Sequence, residues 1–499
     1  MPQFRMPVKA QPTPYAKYKS AVRAFDIGSI VEACGRKSAE IERLAMPPSA
    51  TFPFTQWALM DIARVAIAYG RPSGKTIADH DLAQLCQFHL NIDDPITRGD
   101  SAGVAGALLR MSHEQFLGQV DVLPAFARTL LLFGTDASWP VGKSPTVMVD
   151  DWFEQSFGMD VDTYVAGIFI AFTAAASNGG RFDLDLLQGD AFERIRATFS
   201  NERVRNVFDR HLSVDIASFK QLNRDAERRT RADLQKHSFN PLRDKPFITD
   251  IGVVPIAPNV RAIVDKISPL SIFYRAIKTF GNSFATDLGH VFEAYVGKQL
   301  ELLSGGLVLP EVRYWEGKNR QDSIDWFLQV GEFLVLVECK STRPDEHVRL
   351  GDAAYLESLE RQIGKGIAQI NRSNAHFQVI CAAEPRLAGT HQRVGVVVTL
   401  EDHFAATSPS VRADLTAADI PTVVLSIREL EQFMTLSVNE LEGLVSQAVG
   451  RCGADNVLPL WIGDATGAGP NPIIAAAFDA FEVMRLVDGL DSPVGLQDT

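Results

Sequence analysis

Two runs rich in strand-forming residues, Ser323 to Val330 and Phe333 to Cys339, meet at Gly331. Apolar, β-branched and aromatic residues on either side of a glycine dictate a tight antiparallel hairpin. Side chains alternate along a strand, so Glu338 and Lys340 share one face while Cys339 turns to the other. The antiparallel return then brings Asp325, near the start of the first run, beside the end of the second. Two acids and a lysine are drawn toward one point.

That set has a chemistry. A phosphodiester resists attack because its oxygens are negative, and a divalent ion held by Asp and Glu offsets that charge and orients water. A lysine two positions from a ligand can position or deprotonate the water and steady the charged transition state. Glu293, in the helical segment Gly289 to Val296, precedes the strands and offers a further carboxylate.

The hairpin sits in a chain of 499 residues, 46% hydrophobic and 22% charged, long enough for several domains. Its formal net charge of -12 excludes a histone-like coat, so any nucleic-acid contact must be a local basic surface. Cys34, Cys86, Cys339, Cys381 and Cys452 form no CxxC pair, which predicts reduced thiols in the cytoplasm and no structural zinc. The most apolar run, Val165 to Ala176, is shorter than the ~20 residues of a spanning helix. A buried helix and no membrane partner are expected.

Residues 1–20 carry four prolines and read as an irregular arm. Apolar spacing of three and four then predicts helices over Phe25–Leu44, Trp57–Tyr69, Asp81–Leu90, a segment from Gly106, Val120–Phe133, Val161–Ala176 and Leu184–Phe199. From Arg203 to Lys245 basic residues outnumber acids. Arg224, Arg228, Arg229 and Arg231 are the candidates for a phosphate-tracking surface, although a solvated helix face with i,i+4 pairs such as Asp225 to Arg229 accounts for the same residues. Residues 1–240 are therefore expected to form an irregular α-helical recognition or regulatory domain, with 241–280 as a connecting segment.

After Gly281 the order becomes mixed. A helix over Leu288–Leu303 is followed by strands at Leu307–Trp315 and in the hairpin, a helix over Ala353–Ile370, strands at Phe377–Ala382, Val394–Leu400 and Thr422–Ser426, and a helix over Ile427–Met434. Residues 436–499 form a helical extension, with a helix near Glu440–Val449, a glycine-rich loop at Gly463–Gly469 and a last helix over Pro472–Val487. Gly70 to Thr76 invites a P-loop reading, but its spacing fails by one residue and a helix precedes it. His290 and His347 flank the hairpin and read as structural or surface residues.

Residues 281–435 resemble the PD-(D/E)xK nuclease superfamily, the restriction-endonuclease-like fold. The resemblance rests on Glu293 in an opening helix, Asp325 on the second core strand, Glu338-Cys339-Lys340 on the third, and a following helix with Gln362 and Gln369. Ile324 stands where the family name has proline. The resemblance implies an α/β core of αβββαβ order with a mixed sheet, a Mg²⁺ or Mn²⁺ cofactor, and hydrolysis leaving a 5′-phosphate. Asp325 and Glu338 would be metal ligands, joined by the Cys339 backbone carbonyl and completed or oriented by Glu293. Lys340 would serve the water, and Gln362, in preference to Gln369, would contact phosphate or water. The expected function is an endonuclease cutting nucleic acid, DNA in preference to RNA, in restriction or anti-phage defence. An inactive nucleic-acid-binding or interaction protein and an RNA-directed effector are the alternatives. The helical domain is expected to serve a homo-oligomer or a protein partner.

Overall fold

The computed structural model describes residues 13–481, apart from 45–52, 73, 95–100, 116–121, 136, 190–192, 194–195, 197–198, 390, 404–405, 407–408, 413, 461–462 and 464–468. The N-terminal half is helical, as its spacing dictates, with longer helices at Ile27–Leu44, Gln56–Tyr69, Asp79–Leu90, Ser101–Gln115, Val122–Phe133 and Val161–Ser177. Their starts follow local chemistry. Thr55 and Asp160 each accept a backbone N–H three residues on, satisfying donors that a helix terminus leaves free. Val161–Ser177 is buried throughout its middle, and among the described residues no helix is long and apolar enough to cross a membrane.

The C-terminal half is built on a five-stranded mixed sheet. Strands β1 (Leu307–Pro310), β2 (Trp326–Val330) and β3 (Phe333–Lys340) form an antiparallel meander, and β4 (Gln392–Thr399) and β5 (Thr422–Ser426) extend it in parallel beside β3. Helix α1 (Asn282–Leu300) covers one face with Val291, Phe292 and Tyr295, against which Val335 and Val337 pack. Helix α2 (Lys365–Ala375) covers the other with Ile367 and Ile370, opposite Leu334 and Leu336. Residues 333–338 of β3 are buried on both faces, and each large apolar side chain there contributes about 1.5–3 kcal/mol. The hairpin turn requires Gly331, which has φ 54°; a Cβ there would overlap the Glu442 carboxylate that caps the Glu332 N–H.

Several expected elements differ. Leu307–Trp315 is not one strand: it breaks at Glu311 and Val312, and Arg313–Glu316 pairs with Asn319–Asp322 in a separate ribbon. The expected strand at Phe377–Ala382 is a helix, Phe377–Ala383, because Phe377, Ile380 and Cys381 reach the core at helical spacing while Val379 is exposed. Ala353–Ile370 is not continuous. A short helix, Tyr355–Leu359, passes through a π-turn at Glu360–Gly364 into α2. Within the expected arm, Tyr15–Val22 is helical, whereas residues 1–12 lie outside the described residues. Leu184–Gln188 is a 3-10 turn, and most of the remainder of that expected helix, like the Gly463–Gly469 loop and the end of the last helix, lies outside them too.

The cores cross the expected domain boundaries. One cluster joins the sheet face under α1 to Phe126 and Phe133, to Val165 and Phe169, and to Leu441 and Phe481. A second holds the first helices together with Phe219, Leu242 and Ile256. Polar ties follow the same route. Arg128 makes a bidentate pair with Glu431 at 2.7 and 2.6 Å, Tyr295 donates to Glu431 at 2.8 Å, Gln299 donates to Tyr295 at 2.9 Å, and Asn471 donates to Gln299 at 2.7 Å. Such a buried pair needs every partner to hold it.

Candidate active site at the end of the β2–β3 hairpin

The register sets the site. Trp326 faces Val337, so one step further Asp325 stands beside Glu338. Asp325 Oδ2 accepts the Cys339 N–H at 2.6 Å, which anchors the carboxylate to the strand that carries the other acid. The N–H and C=O of one strand residue point the same way, so the Cys339 carbonyl also lies on the Asp325 side.

Glu338 is 1% exposed. Its Oε1 accepts from the Lys340 ammonium at 2.6 Å, and the same ammonium donates to Gln369 Oε1 at 2.5 Å. Its other oxygen, Oε2, is buried and has no hydrogen-bond partner among the described residues. Helix α2 can come this close because position 366 is glycine: a Cβ there would sit 3.3 Å from Lys340 Cε and 3.1 Å from Val397.

Burial and the Asp325 charge dominate the electrostatics. Burial, then the Asp325 charge, push the Glu338 carboxyl up to about 8, with Lys340 pulling the other way. Glu293, on α1, is pushed up to about 7 by burial and by Asp325 and Glu311. Burial also raises Asp325, and burial with Asp322 and Asp325 raises Glu311. Four acids thus crowd one end of the hairpin. Among the described residues, however, no three His, Cys, Asp or Glu side chains converge tightly enough to form a ready-made metal cage. The fold presents a pair, Asp325 and Glu338, with Glu293 and Glu311 near enough to be felt. An orphaned carboxylate oxygen and acids raised by burial and by the Asp325 charge fit a divalent cation, which would lower the free energy of the charged forms.

The glutamine differs from the expected one. Gln369 holds Lys340, whereas Gln362 donates to Ser358 at 3.1 Å and lies 3.4 Å from Asp345. In an unbroken α-helix the two would lie within about 20° of each other, seven residues being two turns. The π-turn adds a residue to the helix at Gln362 and rotates it away from Gln369.

Three contributors carried no sequence signal. Glu311 sits at the break after β1. Lys143, in the turn after Pro140, lowers both Glu293 and Glu311. It is brought there because Asp287 of α1, fully buried, accepts the N–H groups of Thr146, Val147 and Met148 at 2.9, 2.7 and 2.9 Å. Arg372 of α2 donates to the Asp322 carbonyl and lowers Glu338. A carboxylate acting as a three-way backbone acceptor cannot be read from the spacing of the chain.

The four basic candidates lie elsewhere. Arg224, Arg228 and Arg229 project from the helix Ile216–Arg229, whose Phe219 packs into the N-terminal core. Arg224 donates to Gln221 at 2.7 Å, Arg228 pairs with Asp225 at 3.4 Å, and Arg231 pairs with Asp233 at 2.7 Å. None of the four is among the charges that perturb the site acids. His347 is a surface residue paired with Asp352, and His290 packs edge-on against Trp139. Set against protein-family models, curated proteins and solved structures, the chain matches none of them.

Proposed function

We propose that the chain is a metal-dependent nuclease of the PD-(D/E)xK type, hydrolysing phosphodiester bonds of nucleic acid, DNA in preference to RNA. The observation that carries this reading is the chain of contacts from Asp325 through Cys339 and Glu338 to Lys340 and Gln369, with one Glu338 oxygen buried and unpaired. An orphaned buried oxygen lowers stability, and buried acids with raised carboxyls beside a lysine concentrate at functional sites. The order α1, β1, β2, β3, α2, β4, with a ribbon and short helices inserted between them, is compatible with the αβββαβ order that the resemblance implies.

Asp325 and Glu338, with Glu293 close enough to feel the Asp325 charge, would hold Mg²⁺ or Mn²⁺, which when bound offsets the negative charge of the scissile phosphate. Lys340 supplies a fixed ammonium beside Glu338, where it can orient a water and stabilise charge on the departing oxygen. Gln369 fixes the direction of that ammonium. Restriction or anti-phage defence is the setting that the family resemblance suggests.

The test is incubation of the full chain with plasmid, single-stranded DNA and RNA in Mg²⁺ or Mn²⁺, beside a chelator control. Cleavage of DNA that needs the ion and leaves 5′-phosphates is expected. Absence of cleavage of every substrate contradicts the proposal, and cleavage of RNA alone reassigns its target.

A further inference from the structure

A cavity of about 820 Å³ lies apart from the hairpin site, between the helical half and the sheet. None of Glu293, Asp325, Glu338, Lys340 or Gln369 lines it. One wall is the helix Ile216–Arg229 with Phe239, and another is the helix Pro269–Phe280. A third is formed by Leu400, Glu401 and Asp402 after β4 and Arg428 after β5, the carboxyl ends of parallel strands where α/β sheets commonly take ligands.

Two features of the lining point to one chemistry. Several of its charges are neutralised, among them Arg128 by Glu431, Lys266 by Asp244, and Arg428 by Asp402. Arg229, Arg275, Lys278 and Arg349 also line it, and none has a carboxylate within ion-pair distance among the described residues. Arg275 is held instead by the Ser156 carbonyl and the His211 ring at 3.0 Å each, so its guanidinium is positioned without an ion pair among the described residues. The Ser156 hydroxyl and Arg349 Nε are buried donors without acceptors among the described residues. Of the opposing acids without a cation, Glu346 is exposed, and burial beside Asp402 pushes Glu401 up to about 7. The second feature is exposed apolar surface. Leu222, Phe239 and Tyr274, 39%, 43% and 39% exposed, all line this one cavity. Unmatched cations, orphaned donors and partly exposed aromatic rings, Tyr274 lying beside the Arg343 guanidinium, together suit an anion that carries a flat ring, and the volume is that of a small-molecule site.

We propose that the cavity binds a free nucleotide, with its phosphates against Arg229, Arg275, Lys278 and Arg349 and its base against Phe239 and Tyr274. This site is independent of the nuclease reading. Arg349 lies in the short helix Glu346–Leu350, soon after β3, so a bound nucleotide would bridge the helical half to the segment that follows the strand carrying Glu338 and Lys340.

The full chain is titrated calorimetrically with ATP, GTP, CTP and UTP, with inorganic phosphate and a short oligothymidylate as separate arms. At least one nucleotide is expected to bind saturably, and Arg229→Ala with Lys278→Ala, both exposed side chains, to weaken it at least ~10-fold. Tyr274→Ala should weaken the nucleotide and leave phosphate unaffected. Lys340→Gln should leave nucleotide binding unchanged, which separates this test from that of the nuclease. The proposal is overturned if no nucleotide binds below about 1 mM, if phosphate alone or the oligonucleotide alone binds, or if the double variant binds as well as the parent.

Discussion

The hairpin acids and the surface arginines Arg224, Arg228 and Arg231 are both charged clusters that stand out in the chain, and the fold treats them in opposite ways. Glu338 is buried with an orphaned oxygen and a carboxyl pushed up to about 8. Arg228 and Arg231 lie on the surface, each beside an acid two or three residues away. Exposed pairs of that kind contribute about 0–1 kcal/mol and can be exchanged at little cost. The contrast teaches that a charged cluster points to chemistry when the fold gathers it against its own electrostatics, and to solvation when neighbours in sequence already satisfy it.

The largest consequence of that contrast is a pH dependence of stability. Below pH 4.5 the Glu338 carboxyl is protonated in folded and unfolded chains alike. As pH rises from 4.5 toward about 8 the unfolded chain releases its proton while folded Glu338 keeps it, so stability falls across this window. The metal-free protein should lose on the order of a few kcal/mol through this group, measured by denaturant melts at a series of pH values. Glu338→Gln should reduce the slope, the remainder coming from Glu293 and Glu401, and Mn²⁺ should reduce it more in the parent than in the variant. An unchanged slope in Glu338→Gln would break the contrast at its stronger end.

A smaller effect separates the two glutamines. Gln369→Ala frees the Lys340 ammonium and should slow single-turnover cleavage by roughly 10-fold with substrate affinity little changed, whereas Gln362→Ala should leave the rate within about 2-fold. Equal losses in both variants would remove Gln369 from its positioning role. The smallest effect is expected at the helix. Exchanging Arg224, Arg228 and Arg231 for glutamate should change the slope of log binding constant against log salt by less than about 1, since these side chains are engaged with local partners. A large drop in slope would put this face in the nucleic-acid interface after all.

The meander and the acids on it were legible because alternation, a glycine turn and short strands are local facts. Thr422–Ser426 and Phe333–Lys340 follow directly from runs of buried β-branched and apolar residues. What was not legible depends on partners distant in sequence. Phe377–Ala383 is a short apolar run whose helical phase shows only once the core that it meets is known. The π-turn that separates Gln362 from Gln369 is a one-residue change of phase. Lys143 reaches the site through Asp287, more than a hundred positions away along the chain. The expected helical domain likewise divides between two cores, since Phe126 and Phe169 pack with the sheet while Ile62 and Leu82 do not.

The central claim, that Lys340 beside Glu338 and Asp325 serves phosphodiester hydrolysis, is tested most directly by single-turnover cleavage of plasmid DNA in Mn²⁺ by the parent and by Lys340→Gln. That variant keeps a donor for Glu338 and removes the charge. With its fold verified by circular dichroism, it should cut at least ~100-fold more slowly than a parent that cuts readily. Equal rates in the two proteins would contradict the account.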